Sequence, residues 1–138
     1  MFYPVKTPFF IKKLYPRYTW TLPVTGKALF LTFDDGPHPL VTPFVLEELA
    51  KWKARATFFC IGKNVRAHFD TYRRLIEEGH RVGNHTFNHL DGWKTDDRTY
   101  LADVREAARI IDSTLFRPPY GRITRFQQRL LRGEATGL

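Results

Sequence analysis

Two pairs of potential metal-binding side chains stand at short spacings in this sequence. Asp34 and Asp35 are adjacent, and His85 and His89 are four residues apart. If the residues between the histidines form a helical turn, both imidazoles face the same way and can hold one metal ion. A carboxylate from elsewhere in the chain would complete three ligands. Such a set leaves coordination positions open for water and substrate, which is typical of a catalytic site.

The adjacent aspartates permit a division of labour. One carboxylate can bind the metal while the other takes a proton from the water that the metal activates. Arg117 can pair with that base and keep it ionised and oriented. Zinc or another divalent transition ion fits these ligands, but a non-haem iron oxygenase uses similar ones, and the spacing does not distinguish them. Neither pair is decisive alone, since Asp-Asp-Gly-Pro is often only a turn and paired histidines often lie on the surface.

Strands that position these residues are indicated by the hydrophobic pattern. Four are predicted, over 28–33, 56–61, about 80–83 and 116–117. The first is continuously apolar, as expected of a parallel strand covered on both faces. Helical patterns separate the strands, and this alternation predicts parallel βα units, in an open doubly wound sheet or in part of a barrel. Active sites of both architectures gather where strands end, so one rim should hold Asp34, Asp35, His85, His89 and Arg117.

Helices are predicted between and after the strands. They are one capped by Thr42, one between Gly62 and Gly79, one with an apolar stripe from Leu101 to Leu115, and one capped by Thr124 over 125–132. Trp52 falls on the apolar stripe of the first and is expected in the core. Residues 1–26 contain several prolines, which predicts an extended lead-in before a domain over 27–138.

Composition limits the class of protein. The chain has 138 residues, 43% of them hydrophobic, which suits one globular domain. Its formal net charge of +8 favours anionic partners, but no long basic run is present, so no nucleic-acid partner is expected. The single cysteine, Cys60, is expected to be buried in a strand. No signal peptide or transmembrane segment is recognisable, so the cytoplasm is the default expectation, with association with the cell envelope left open.

Three segments, in this order, match a family pattern: Thr32-Phe33-Asp34-Asp35-Gly36-Pro37, His85-Thr86-Phe87-Asn88-His89 and Arg117-Pro118-Pro119-Tyr120-Gly121. They resemble the first three motifs of polysaccharide deacetylases with a NodB homology domain, carbohydrate esterase family 4. The match continues between the motifs and covers roughly 28–125. The resemblance implies an α/β fold whose parallel βα units form the N-terminal part of a distorted (β/α) barrel.

The same resemblance implies metal-dependent hydrolysis of an N-linked or O-linked acetyl group on a polysaccharide such as peptidoglycan or chitin. The partner implied is therefore an acetylated glycan polymer or oligosaccharide. One divalent ion, zinc before cobalt or nickel, would be held by Asp35, His85 and His89.

Further roles are implied for the residues of the first and third motifs. Asp34 would be the general base, and Arg117 would orient it. The backbone N–H of Tyr120 would stabilise the oxyanion, a contribution typically worth about 2.7–4 kcal/mol of barrier. Pro119 and Tyr120 would line the substrate groove.

The family continues beyond these motifs with further strands, an Asp-Trp motif and a late Leu-x-Leu-His motif whose histidine acts as general acid. Residues 122–138 match neither motif. The alternative expectation is therefore a truncated or frameshifted, catalytically impaired fragment that retains at most metal or glycan binding.

Two other side chains need a separate interpretation. Trp93 follows the histidine pair closely and is kept as a candidate sugar-stacking platform. His80 begins a predicted strand and is expected to be a hydrogen-bonded packing residue rather than a ligand.

Overall fold

A computed structural model describes residues 7–16 and 18–135. In chain order, its elements are helix α1 (Phe9–Leu14), strand β1 (Leu31–Gly36), helix α2 (Val41–Lys51), strand β2 (Ala56–Cys60), helices α3 (Gly62–Ala67) and α4 (Phe69–Glu77), strand β3 (Arg81–Asn84), helix α5 (Asp97–Ala108), a 3-10 turn (Pro119–Gly121) and helix α6 (Arg125–Ala135). The predicted α/β class is confirmed. Within the described ranges, every helix is too short or too polar to span a bilayer.

The three strands form one parallel sheet in the order β1-β2-β3. The fourth predicted strand, 116–117, is reduced to a single parallel bridge between Asn84 and Phe116. This bridge still extends the sheet, because Asn84 N donates to Leu115 O at 2.8 Å and Arg117 N donates to Asn84 O at 3.0 Å. The C-terminal ends of all three strands, together with Arg117, therefore lie at one end of the sheet.

The core is built around the central strand β2. Phe58 stacks on Phe33 of β1 with ring centroids 5.1 Å apart. Cys60 is fully buried, as predicted, and burial raises the pKa of its thiol to about 12. His80 is the predicted packing residue, since its Nδ1 accepts the N–H of Ala56 at 3.2 Å and its ring lies edge-on to Phe58 at 5.4 Å. The helices, strand β3 and two loop residues complete the core: Leu46, Leu49, Val65, Tyr72, Leu75, Val82, Phe87, Ala107 and Ile111.

Strand β1 differs from its prediction in both position and burial. It begins at Leu31, three residues later than expected, and it extends through the aspartates to Gly36. We expected an apolar strand covered on both faces, but Leu29 is 92% exposed, and Phe30 and Leu31 are exposed as well. Leu29 and Phe30 precede the strand, and among the described residues β1 pairs with β2 alone, which makes it an edge strand.

The start and end of helix α2 also correct the sequence interpretation. Thr42 is not the N-cap but lies in the first turn, where its Oγ1 accepts the N–H of His38 at 2.8 Å. The imidazole of His38 takes over the capping function, since its Nδ1 accepts the N–H groups of Leu40 and Val41, each at 3.2 Å. Trp52 is 81% exposed instead of buried, because the helix ends one residue before it.

Three other helix predictions have definite outcomes. The stretch after Gly62 is two helices, because the backbone of His68 leaves the helical region with φ −132° and ψ 51°. Helix α5 ends at Ala108, so Leu115, predicted on its buried face, is exposed. Thr124 caps α6 as predicted, since its Oγ1 accepts the N–H of Gln127 at 3.1 Å.

The N-terminal lead-in is not wholly extended as predicted, because it contains α1. Pro8 immediately precedes this helix and Pro16 follows it, so the prolines flank the helix without interrupting it. Residues 1–6, 17 and 136–138, which belong to the predicted ranges 1–26 and 27–138, lie outside the described residues. The boundary between residues 26 and 27 stays a prediction.

Candidate active site

Asp35, His85 and His89 converge at the C-terminal end of the sheet. Asp35 Oδ1 lies 3.4 Å from His85 Nε2 and 3.1 Å from His89 Nε2. One ligand atom from each residue lies within 4.8 Å of the other two. Atoms about 2.0–2.2 Å from a shared tetrahedral ion are separated by roughly 3.4 Å, so two of these spacings already suit a metal. The structure thus brings together the three side chains that we predicted as ligands, and two imidazoles with one carboxylate suit a divalent transition metal.

His85 is fixed within the protein before any ligand binds. Its side chain is only 4% exposed, and its Nδ1 lies 2.6 Å from the carbonyl oxygen of Arg117. Because a carbonyl can only accept, Nδ1 carries the proton and Nε2 presents its lone pair towards Asp35. Burial lowers the pKa of His85, although the bond to the Arg117 carbonyl opposes that effect. The ring is therefore held in the neutral, Nε2-free form that a metal requires.

Two buried polar side chains hold the backbone around the histidines. Asn84 Oδ1 accepts the N–H of Thr86 at 2.8 Å. Asp103 on α5 accepts the N–H groups of Phe87 and Asn88 at 2.8 and 2.9 Å, and its other oxygen accepts the Asn88 amide at 2.6 Å. A single carboxylate thus fixes the turn that separates His85 from His89.

Left-handed backbone conformations are concentrated in the site. Among the described residues, four of the five non-glycine positions with positive φ belong to it: Asp35 (67°), Thr86 (66°), His89 (61°) and Tyr120 (58°). The fifth, Lys53, lies directly after α2. Each such residue costs about 1–3 kcal/mol and persists where its surroundings over-determine the conformation. The hydrogen bonds of Asn84 and Asp103 supply that determination around the histidines.

Asp34 is paired with Arg117, as predicted. Arg117 Nη1 donates to Asp34 Oδ1 at 2.7 Å and to Thr32 Oγ1 at 3.1 Å, and the guanidinium carbon lies 4.0 Å from the centroid of the Phe59 ring. Arg117 therefore joins both halves of the site, because its side chain holds Asp34 while its carbonyl holds His85. The catalytic roles assigned to Asp34 and Arg117 stay predictions.

The two residues of the third motif that we predicted to line the substrate groove lie in different environments, and the roles predicted for Tyr120 stay predictions. Tyr120 is exposed, and its ring lies edge-on to His89 with centroids 4.7 Å apart, so it borders the candidate metal site. Pro119, which we predicted to line the substrate groove, is fully buried in the 3-10 turn. Its ring therefore has no surface to offer a glycan.

Four supporting residues were not predicted from the sequence: Thr32, Asn64, Asn84 and Asp103. Asn64 Nδ2 donates to the backbone carbonyl of Asp35 at 2.8 Å. Asp103 did carry a signal, because a buried carboxylate among apolar residues needs hydrogen-bond donors. The same buried face of α5 carries Tyr100, Leu101, Val104 and Ala107.

Comparison with known proteins agrees with this geometry. A family model described as polysaccharide deacetylase matches residues 21–132. This chain belongs to the polysaccharide deacetylase family. It is 40% identical over 110 residues to a peptidoglycan-N-acetylglucosamine deacetylase of Bacillus cereus, a match that covers 76% of this chain and 52% of that relative.

Solved structures place this polysaccharide deacetylase chain in the same fold. The peptidoglycan deacetylase PdaC from Bacillus subtilis superposes with a TM-score of 0.72 at 36% identity, covering 75% of this chain and 54% of that one. A family 4 acetyl xylan esterase from Clostridium thermocellum, solved with a cobalt ion, gives 0.61 at 30% identity, covering 72% and 52%. The chain thus spans about half the length of the relatives it matches. The predicted fold, the N-terminal part of the family's barrel, is confirmed.

Proposed function

We propose that this chain holds one divalent metal ion, zinc in the first instance, through Asp35, His85 and His89. We further propose that it takes part in removing acetyl groups from an acetylated glycan such as peptidoglycan. The observation that carries the proposal is the convergence of Asp35 Oδ1 with the two Nε2 atoms at 3.1 and 3.4 Å. The cobalt ion named for the related xylan esterase and the substrate named for the Bacillus cereus relative support it.

A metal bound there would supply Lewis acidity for the acetyl carbonyl and would lower the pKa of a coordinated water. Asp34 accepts the proton of the attacking water, while Arg117 Nη1 holds its Oδ1 at 2.7 Å and leaves Oδ2 for that task. The water oxygen adds to the carbonyl carbon, and the bond from that carbon to the sugar nitrogen or oxygen breaks. The departing atom takes up the proton that the water gave to Asp34, so acetic acid and a free amine or hydroxyl result and Asp34 is again a carboxylate. The backbone N–H of Tyr120 is the donor that we assign to the oxyanion.

The adjacent aspartates give a matched test of these assignments. We expect Asp35→Asn to abolish zinc and cobalt binding in isothermal titration calorimetry, because a ligand is lost. Asp34→Asn should keep metal affinity within about tenfold, since it removes no ligand and leaves the second-sphere contacts of His85 in place. Acetate release from N-acetylated oligosaccharides should vanish in both variants. Asp70→Asn, in the exposed first turn of α4, serves as control and should change neither measurement.

Two results would contradict the proposal in different ways. If Asp34→Asn and Asp35→Asn lose metal equally, the ligand assignment is wrong. If the wild-type chain cannot be loaded with any divalent ion, the proposed metal site fails altogether. Metal binding by the wild type without acetate release would favour the alternative of an impaired fragment that keeps only its binding function.

A further inference from the structure

An exposed tryptophan is connected to the candidate metal site by consecutive ring and guanidinium contacts. The ring of Tyr120 lies 4.7 Å from that of His89. The guanidinium carbon of Arg122 then lies 5.9 Å from the Tyr120 ring and 5.4 Å from the Trp93 ring. Trp93 is 67% exposed, and Tyr120 is also exposed. These residues form a solvent-facing surface that leads away from His89.

The indole of Trp93 is held in one orientation although it is exposed. Its Nε1 donates to the carbonyl of Ile123 at 3.3 Å, and its backbone N–H donates to Asp91 Oδ1 at 3.0 Å. The other oxygen of Asp91 accepts Arg122 Nη1 at 2.7 Å. An aromatic side chain ordered in advance loses little further entropy when a ligand binds to its face.

A second set of contacts fixes the loop that carries the indole. The buried side chain of Gln127 donates from Nε2 to the carbonyls of Gly92 at 3.0 Å and Thr95 at 3.4 Å. The loop lies directly against the segment of Arg122 and Ile123, because a Cβ placed on Gly92 would be 2.6 Å from the carbonyl oxygen of Arg122. The loop is thus held by hydrogen bonds and contacts that do not involve the face of the indole. Because the ring is exposed, packing in the core does not account for a tryptophan at this position.

We propose that Trp93 is a stacking platform for a sugar unit of the glycan chain, adjacent to the unit from which acetyl is removed. The inference rests on the proposed function and adds that the glycan must be long enough to reach from the metal site to Trp93. The face of a pyranose ring that carries C–H groups is apolar and slightly positive, and it complements the negative face of an indole. Arg122 offers further N–H donors to sugar hydroxyls.

The charge of the platform favours uncharged sugar units. Arg122 is neutralised by Asp91 at 2.7 Å, so the surface around Trp93 presents an ion pair and not an isolated cation. N-acetylhexosamine oligomers meet this description, whereas a polymer of uronic acids would need an unpaired positive charge. Affinity should therefore rise when the oligomer becomes long enough to reach from the metal site to Trp93.

Binding of N-acetylglucosamine oligomers of one to six units tests the inference. The protein measured is the Asp34→Asn variant of the chain, loaded with zinc, so that it binds the oligomers without removing an acetyl group. We expect the hexamer to bind at least about tenfold more tightly than the monomer, and Trp93→Ala to abolish most of that difference. Trp93→Phe should keep part of it, because a phenyl ring still offers a face. Trp52→Ala is the matched control, since Trp52 is also exposed but lies at the end of α2, and it should leave the difference unchanged.

A second measurement does not depend on removing the indole. In a Trp20→Phe, Trp52→Phe variant, Trp93 is the sole tryptophan, and its emission should change on addition of the hexamer but not of the monomer. Equal affinities for monomer and hexamer, absence of hexamer binding, or an unchanged Trp93 emission would overturn the inference. Binding is measured without turnover and is repeated with a chelator that removes the metal. Failure of the proposed deacetylation can therefore be distinguished from failure of sugar binding at Trp93.

Discussion

The histidines and the aspartates of the candidate site belong to two differently supported regions. His85 has a side chain that is 4% exposed, and it follows a strand packed against the core. Asp35, by contrast, has a side chain that is 65% exposed and lies on the edge strand β1. The histidine region is therefore part of the folded interior, whereas the aspartate region is exposed to solvent on the edge strand of the sheet. Substitutions that remove support from the histidine region should reduce stability and function together, whereas substitutions of the aspartates should abolish function without reducing stability.

The largest effect should come from removing the carboxylate that fixes the histidine turn. Asp103→Ala leaves the N–H groups of Phe87 and Asn88 without their acceptor. We expect the free energy of unfolding, measured with urea, to fall by about 2–5 kcal/mol. Metal affinity should fall with it, because the turn between the ligands loses its support.

Glu106→Ala is a matched control on the same helix. Glu106 pairs with Arg66 at the surface, so its loss should cost at most about 1 kcal/mol. Equal losses in the two variants would contradict the distinction between a buried support and a surface ion pair.

This contrast also separates what the sequence predicts from what it does not. The convergence of the aspartates, His85 and Arg117 was predictable, because parallel strands place their C-terminal ends together. The exposure of β1 was not, because an apolar run such as 28–33 does not specify where the strand begins or what will pack against its side chains. Periodicity likewise placed Trp52 on an apolar stripe, but the helix ends one residue earlier. Side-chain supports such as Asp103 depend on contacts between α5 and the histidine turn, and only the fold reveals them.

A smaller effect, with opposite signs for stability and function, is expected on the aspartate side. Asp35 has φ 67°, a conformation that glycine adopts without strain. Asp35→Gly should therefore raise the unfolding free energy of the metal-free chain by roughly 0.5–1 kcal/mol while abolishing metal binding. Lys53→Gly, at φ 49° and outside the site, should give the same gain and leave metal binding intact. A loss of stability in Asp35→Gly would show that the aspartate region is as firmly supported as the histidine region.

The smallest effect should be a pH dependence carried by His80, at the opposite end of β3 from His85. Burial lowers the pKa of His80 below the usual 6.5, although Glu78 opposes this. Below that pH the unfolded chain takes up a proton before the folded one does, so stability should fall as pH decreases from about 6.5 towards the lower folded pKa. Urea midpoints between pH 7.5 and 5 should show a shallower decline in His80→Gln. Some decline should persist, because the pKa of His85 is lowered by burial as well. Identical slopes in the two proteins would contradict this assignment.

The burial of Cys60 has a practical consequence for studying these regions. Its carbonyl accepts the N–H of His85 at 2.9 Å, so the residue lies where β2 meets the site. A thiol with a pKa of about 12 is almost entirely protonated at neutral pH, and here it is also shielded from solvent. A thiol reagent can therefore react only when β2 opens, and the labelling rate measures how often it does. Because no other cysteine is present, the native chain carries its own probe for local opening of the sheet beneath the site.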